Sequence, residues 1–201
     1  PPANNPATTT GTTAAAVDRH NSPGNNDAYE FNGTGTITTA PNSNGFPTDW
    51  EDFTLSLWVN PLVDFGGGTS RTIVANNSDR FVLSVNPNNG NLRFSAGPGY
   101  NPAAEDHVAP MPARRSWDPN TWYHVVVKSE SNTTRIFRDG EQWGTGTAYD
   151  GNTAFAVDRF LTLGNRPAGT STDDLNGAVD EVRLYTRALS DTEVNNLYWA
   201  G

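Results

Sequence analysis

Short runs of alternating apolar and polar residues recur along the chain and predict β-strands. The clearest run is Phe53–Val59, in which every second residue is apolar. Since successive side chains of a strand point to opposite faces, one face of this strand is predicted to enter the core. Further runs at 81–85, 92–95, 122–129 and 134–138 are bounded by Gly, Asn, Pro and other turn-forming residues. About a dozen such strands predict an all-β fold, a two-sheet antiparallel β-sandwich of jelly-roll type.

The end of the chain predicts a strand followed at once by one short helix. Val182 and Leu184 alternate with polar neighbours, the period of a half-buried strand. Ser190 stands three residues before Glu193, so the two side chains can form a capping box at a helix start. The residues predicted to face inward from this helix are Val194, Leu197 and Tyr198.

Composition and charge narrow the classes of partner. The formal net charge is −9, which argues against nucleic acid because phosphates require basic surfaces. An acidic surface is compatible with calcium and with neutral sugars, and equally with a role in solubility alone. The chain contains no cysteine, so it forms no disulfide or thiolate metal site. No window approaches the roughly 20 apolar residues of a membrane span, and we expect no membrane insertion.

Residues 1–16 differ from the rest in being rich in Pro, Thr and Ala without apolar periodicity. We therefore predict a flexible linker over 1–16 and a single domain over 17–201. The linker is interpreted as a tether to neighbouring domains of a longer polypeptide, or as a frayed terminus. The start at Pro1 rather than Met also suggests a processed or excised chain.

Three stretches, in this order, resemble the laminin-G-like, concanavalin A-like jelly-roll modules of secreted proteins. Residues 18–33 resemble the opening strands, and residues 122–140 resemble the central hairpin. The run Gly177–Val194, with its Val-Asp-Glu-Val-Arg-Leu-Tyr-x-Arg-Ala-Leu-Ser core, resembles the closing motif. The resemblance covers nearly the whole chain. It implies the jelly-roll sandwich and an extracellular or cell-surface location, but it leaves the function open because this fold hosts many functions.

The same resemblance implies a structural Ca²⁺ that joins the first and last strands. Asp180 would bind the ion by its side chain and carbonyl group, and Asp18, Asn21 and the carbonyl of Gly33 would complete the set. Such oxygen ligands suit calcium. The alternative is that Asp180 only hydrogen-bonds the neighbouring backbone.

Aromatic and polar residues in predicted loops are candidates for a sugar-binding surface. Sugars present C–H faces to flat rings, and a few polar groups fix their orientation. The long irregular segment 97–120 carries several of these residues, and Trp143 is predicted to be the most exposed. For any single ring, packing beneath its loop is the alternative. The candidates are Tyr100, His107, Arg114, Arg115, Trp117, Trp143 and Tyr149.

The sequence offers no arrangement typical of catalysis. Glycosidases on such sheets need two carboxylates that point the same way, and the clearest predicted strands contain none. Asp180 and Glu181 are adjacent, so they are predicted to face opposite sides. His124 lies among strand valines and is interpreted as structural. We therefore predict that the protein is not an enzyme.

Together these features predict a non-catalytic, lectin-like module of a larger secreted or surface protein that binds a polysaccharide or glycan and holds a structural calcium ion. A protein-binding adhesion or spacer module of a surface adhesin is the alternative. A polysaccharide hydrolase or lyase is the third reading. Knowledge of the flanking domains would separate them.

Overall fold

A computed structural model provides the architecture. It describes residues 7–14, 18–20, 28–39, 52–65, 71–76, 81–86, 89–96, 116–131, 133–143, 147–148, 161–166 and 174–200. These residues form a 12-stranded antiparallel sheet and one short helix, as the all-β prediction requires. None of the helical residues described forms a segment long and apolar enough to cross a membrane.

The elements follow the alternation seen in the sequence. In chain order they are β1 (Ala7–Ala14), β2 (Tyr29–Thr39), β3 (Phe53–Pro61), β4 (Arg71–Asn76), β5 (Phe81–Val85), β6 (Leu92–Ala96), β7 (Tyr123–Glu130), β8 (Thr133–Arg138), β9 (Glu141–Gln142), β10 (Thr147–Ala148), β11 (Leu161–Leu163), β12 (Asn176–Tyr185) and α1 (Asp191–Trp199).

Strand β2 is shared by the two arms of the sheet. The strand order is β10-β8-β7-β3-β12-β2-β11-β4-β5-β6. Residues 29–32 of β2 pair with β12, whereas residues 37–38 pair with β11. The sheet curls so that its two arms face each other. Phe53 on β3 lies 5.6 Å from Phe81 on β5 and 6.0 Å from Phe94 on β6, between ring centroids.

The core lies between these arms and uses the face predicted for β3. Phe53, Leu55, Leu57 and Val59 are fully buried in one apolar cluster. Burial of such side chains stabilises a fold by about 1.5–3 kcal/mol each. The alternating pattern of this strand therefore predicted its inward face correctly.

The flexible linker predicted for residues 1–16 needs a correction, because Ala7–Ala14 forms strand β1. This strand pairs antiparallel with β2 along its length, from Ala7 opposite Thr39 to Ala14 opposite Tyr29. Its Thr side chains at 8, 9 and 10 are exposed. The pairing is made by backbone hydrogen bonds, which need no apolar periodicity, so the sequence carried no core signal for it.

Two glycines allow β1 to lie against β2. Gly11 has a left-handed φ of 64°, and the register shifts between Thr10 and Thr12. A Cβ atom on Gly35 would lie 2.5 Å from the carbonyl oxygen of Gly11. Only glycine at position 35 therefore permits this approach of the two backbones.

Helix α1 covers part of the outer face of the sheet, the face turned away from the core. Ser190 accepts a hydrogen bond from the Glu193 N–H and Glu193 bonds back to Ser190, so the predicted capping box is confirmed. Lys128, the chain's only lysine, is buried on β7 and donates to the Leu189 carbonyl at 3.0 Å and to the Asp191 carboxylate. These contacts fix the start of the helix to the sheet.

A ring stack lies under the end of α1. The His124 ring lies 5.1 Å from Trp58 and 6.1 Å from Tyr198, and its Nε2 is 2.9 Å from Ser56 Oγ. Burial lowers the pKa of His124 to about 4, and the charges of Arg19 and Arg183 act in the same direction. His124 is therefore neutral and structural at pH 7, as predicted.

We expect Gly35→Ala to destabilise the β1–β2 pairing, because the new methyl group would meet the Gly11 backbone. Overpacking of this kind costs about 1–3 kcal/mol. Gly33→Ala is the comparison, since its Cβ would meet nothing within 4 Å. The strain at its φ of 87° should lower the melting temperature but leave amide exchange in β1 unchanged. Thermal melts and amide exchange of residues 7–14 would measure both. Equal melts with unchanged exchange in β1 would contradict the pairing.

The free energy of unfolding should decrease as the pH is lowered, because His124 is buried in its neutral form. The folded-state pKa, about 4, lies below the ordinary 6.5, so the unfolded chain binds the proton more readily. This contribution is complete above pH 6.5 and is lost as the pH falls through 4, a change of about 3 kcal/mol. Denaturant titrations should show that the free energy of unfolding of the wild type rises with pH across this range. The free energy of unfolding of His124→Phe should lack this rise. Parallel curves would sink the prediction.

Candidate cation and ligand sites

The turn at residues 18–20 meets the closing strand β12 on the outer face of the sheet. The Arg19 N–H lies 3.4 Å from Asp180 Oδ2, and the Glu181 N–H donates to Asp180 Oδ1 at 2.7 Å. Asp18 and Asp180 are both buried. The structure thus places the turn that carries Asp18 against Asp180, and these are two of the four residues predicted to hold calcium.

A β-bulge at Glu181 shapes this contact. The register of β12 against β3 shifts between Asp180 and Arg183, and Glu181 takes a left-handed φ of 48°. As a result, Asp180 and Glu181 both reach the 18–20 turn, although adjacent strand residues were predicted to face opposite sides. The prediction was wrong because an extra residue in a strand breaks the two-residue alternation.

Glu181 is surrounded by two arginines and a histidine. Its carboxylate lies 2.9 Å from Arg19 Nη2, 3.3 Å from Arg183 Nη2 and 3.4 Å from His20 Nε2. Burial would raise the pKa of Glu181, but the hydrogen bond from Arg19 and the charges of Arg183 and Arg19 outweigh it and lower the pKa. Glu181 therefore stays ionised and neutralises these partners.

The predicted calcium ligands fit only in part. Gly33 donates its N–H to the Leu175 carbonyl, so the β2–β12 register places it five residues from Asp180, about 16 Å along the strand. Gly33 is therefore wrong as a ligand that shares an ion with Asp180. Asn21 lies outside the described residues. Within the described ranges, no group of three or more His, Asp or Glu side chains could hold a metal.

Two predicted ligand residues are buried instead. Trp143 is 2 % exposed and Trp117 is 1 % exposed, which corrects the prediction of a loop platform and of Trp143 as the most exposed ring. Both rings, with Tyr123, enclose the Arg138 guanidinium carbon at 3.9 to 4.7 Å from their centroids. A buried cation occupies the aromatic faces that a sugar would need.

The remaining predicted ligand residues cannot be placed. Tyr100, His107, Arg114, Arg115 and Tyr149 lie outside the described residues. Their assignment to a binding surface stays a prediction.

A different ring is open to solvent. Trp199, near the end of α1, is 74 % exposed, the most of the large apolar residues described. Its ring lies 4.9 Å from Tyr198, which stacks on Trp58 at 5.8 Å. Sequence reasoning placed Tyr198 inward correctly but passed over Trp199. Its signal was the helical position, since the residue after an inward one is rotated by about 100°.

A cleft of about 260 Å³ lies beside α1. Arg187 and Glu193, which form an ion pair, line this cleft. The hydrogen bond from Arg187 lowers the pKa of Glu193 to about 2. The other lining residues are Tyr185, Leu189, Asn196, Leu197 and Ala200.

Several solved structures share this architecture. Domain 4 of AbnA, an extracellular arabinanase from Geobacillus stearothermophilus in complex with arabinotriose, matches 96 % of this chain and 88 % of its own at 18 % identity and a TM-score of 0.67. The botulinum neurotoxin serotype D binding domain matches 99 % of this chain and 47 % of its own at 11 % identity and a TM-score of 0.70. Trypanosoma rangeli sialidase in complex with sialic acid matches 93 % and 29 % at 19 % identity and a TM-score of 0.63.

These likenesses establish the fold and no more, because the identities are low. The chain spans about half of the neurotoxin chain and less than a third of the sialidase chain. A search of curated protein sequences finds no match. The family profile of the concanavalin A-like lectin/glucanases superfamily matches residues 31–195, most of the chain. The protein therefore belongs to the concanavalin A-like lectin/glucanase superfamily, as the laminin-G-like motifs predicted.

Proposed function

We propose that this protein is a non-catalytic carbohydrate-binding module of a larger secreted or surface protein. The observation that supports this most is the match, over nearly the full length of both chains, to an arabinanase domain solved with arabinotriose. The curled sheet would act as a two-layer sandwich that carries the binding surface on its loops and helix. The glycan would be the partner, and adjoining domains would supply any chemistry.

The environments of three described carboxylates, Glu181, Asp191 and Glu193, favour binding over catalysis. A glycosidase needs a general acid with a raised pKa. In contrast, the pKa values of Glu181 and Glu193 are both lowered by arginine partners. Asp191 is paired with Lys128. All three groups are committed to ion pairs, and the lowered pKa values of Glu181 and Glu193 make these two poor proton donors to a leaving group.

We also propose a structural calcium ion at the junction of the 18–20 turn with β12. Asp180 and Asp18 would supply carboxylate oxygens there, and backbone carbonyls and water would complete the coordination. The burial of both carboxylates supports the site. The neighbouring Arg19 already ties the turn to Glu181, so calcium would reinforce a junction that an ion pair begins.

Binding without turnover is the expected result with arabinotriose and a panel of other oligosaccharides. Calorimetry should give a dissociation constant in the micromolar to millimolar range, about −4 to −8 kcal/mol, for at least one sugar. Prolonged incubation should release no new reducing ends. Released product would replace the proposal with a hydrolase, and the absence of any sugar ligand would favour the protein-binding alternative.

Calcium should raise the melting temperature of metal-free protein. A ligand bound only by the folded state adds RT ln(1 + [L]/Kd), about 2.7 kcal/mol at a hundredfold excess over Kd. Asp180→Asn should abolish this response, because it removes the carboxylate charge while preserving the size of the side chain.

Asp174→Asn is the matched control, since Asp174 and Asp180 are each only 4 % exposed, yet Asp174 lies six residues away along the chain. It should leave the calcium response intact. If neither chelator nor calcium changes the melting temperature, the proposed calcium ion is wrong. A response lost in Asp174→Asn but kept in Asp180→Asn would move it to the other end of β12.

A further inference from the structure

The outward face of α1 combines one exposed ring with uncharged polar side chains. Trp199 follows Asn195 and Asn196 by four and three residues, so the three are neighbours on the helix surface. Thr192 lies two turns earlier on the same side. All four residues are exposed. These four side chains carry no charge, and the carboxylates that flank them on the helix, Asp191 and Glu193, are paired with Lys128 and Arg187.

The ring is supported from below by a fixed set of contacts. Tyr198 packs edge-on against Trp199 at 4.9 Å and stacks on Trp58 at 5.8 Å. A Cβ atom on Gly140 would lie 2.8 Å from Asn195 Oδ1 and 3.2 Å from Tyr198, so the helix lies directly against the turn after β8. The capping box and Lys128 hold the other end. These contacts fix the helix that carries the Trp199 ring, so a ligand would not have to order the helix on binding.

The chemistry of this face selects a class of ligand. A flat indole ring packs against the C–H face of a sugar, and amide groups donate and accept hydrogen bonds with hydroxyl groups. The four side chains carry no charge, and the flanking carboxylates of Asp191 and Glu193 would repel uronic or sulfated sugars. A protein partner would have to cover about 800 Å², far more than the four side chains of this face provide. A neutral oligosaccharide therefore fits this face better than a protein surface does.

We propose that Trp199, with Asn195 and Asn196, forms a binding platform for neutral sugars on the outward face of α1. This inference rests on the proposed carbohydrate-binding function and names its site. The platform shares no residue with the 18–20 turn. Sugar rings would stack on the indole and align their hydroxyl groups with the amides of the preceding turn.

The test titrates the protein with arabinotriose, other neutral trisaccharides and a galacturonate trimer. Trp199→Ala should weaken binding of the neutral ligand by about tenfold or more, because the stacking surface is lost. Trp199→Phe should retain part of the affinity, and Asn195→Ala with Asn196→Ala should weaken it less than the loss of the ring. The affinity should not change between low and high salt, since no charge pairs with the ligand.

Nuclear magnetic resonance adds a direct readout. The chain has 6 tryptophans, and the Trp199 indole signal is identified as the one missing in Trp199→Ala. This signal should shift on titration with the neutral sugar. Tyr29→Ala is the control, because Tyr29 is also exposed, at 40 %, but lies on β2. It should bind normally.

The outcomes separate the two proposals. If the wild type binds a sugar and Trp199→Ala binds it equally well, the platform is wrong and the carbohydrate-binding function stands. Preference for the galacturonate trimer with loss of binding at high salt would also overturn the platform and point to arginines. If no sugar binds, both proposals fail. A matched melting temperature for Trp199→Ala excludes unfolding as the cause, and the exposed ring should cost little stability.

Discussion

The β-bulge at Glu181 is the constraint on which the outer side of this fold depends. A regular strand would send Asp180 and Glu181 to opposite faces. The extra residue places both beside the 18–20 turn, where Asp180 accepts from backbone N–H groups and Glu181 pairs with Arg19. A left-handed φ at a residue other than glycine costs about 1–2 kcal/mol. The ion pairs and hydrogen bonds of Glu181 and Asp180 offset this strain, so the bulge and the turn stabilise each other.

Buried cations take the place of apolar contacts at several points. Arg138 lies among Trp117, Tyr123 and Trp143, and its Nη2 donates to the Ser116 carbonyl at 2.9 Å. A guanidinium suits this position because it stacks on rings and donates in its plane. Most of the aromatic surface described is thereby consumed within the fold, and little remains to meet a ligand.

Sequence patterns predicted the parts of the fold that depend on local chemistry. The alternation in Phe53–Val59 gave the correct inward face, and Ser190 with Glu193 gave the correct helix start. Both signals lie within a few residues, so no knowledge of distant contacts was needed. The prediction of the superfamily was also correct, because its motifs are short and occur in a fixed order along the chain.

The errors arose where a distant partner decides the outcome. Strand β1 forms because Gly35 lets the backbone of β1 approach β2 at Gly11. The sequence of residues 7–14 does not indicate that β2 is its partner. Trp143 follows an Asp-Gly turn, which suggests exposure, yet Arg138 and Trp117 draw it inward. The extra residue at Glu181 breaks the alternation of β12, so the Glu181 carboxylate lies on the same side as Asp180 and not on the opposite side as predicted. Register and bulges are properties of strand pairs, so one strand read alone cannot supply them.

The charged turn and the uncharged helix face share one support. Trp58 lies beneath the Arg19 guanidinium at 4.5 Å and beneath Tyr198 at 5.8 Å. Tyr198 in turn supports Trp199. The proposed cation site therefore stands at one end of a row of ring contacts, and the proposed sugar platform stands at the other. The two proposed sites therefore share Trp58 as a common support. Glu181 pairs with Arg19 at the turn, and the acidic residues of α1 pair with Lys128 and Arg187. The side chains that α1 turns outward beside these pairs are uncharged, which suits the neutral ligand proposed for them.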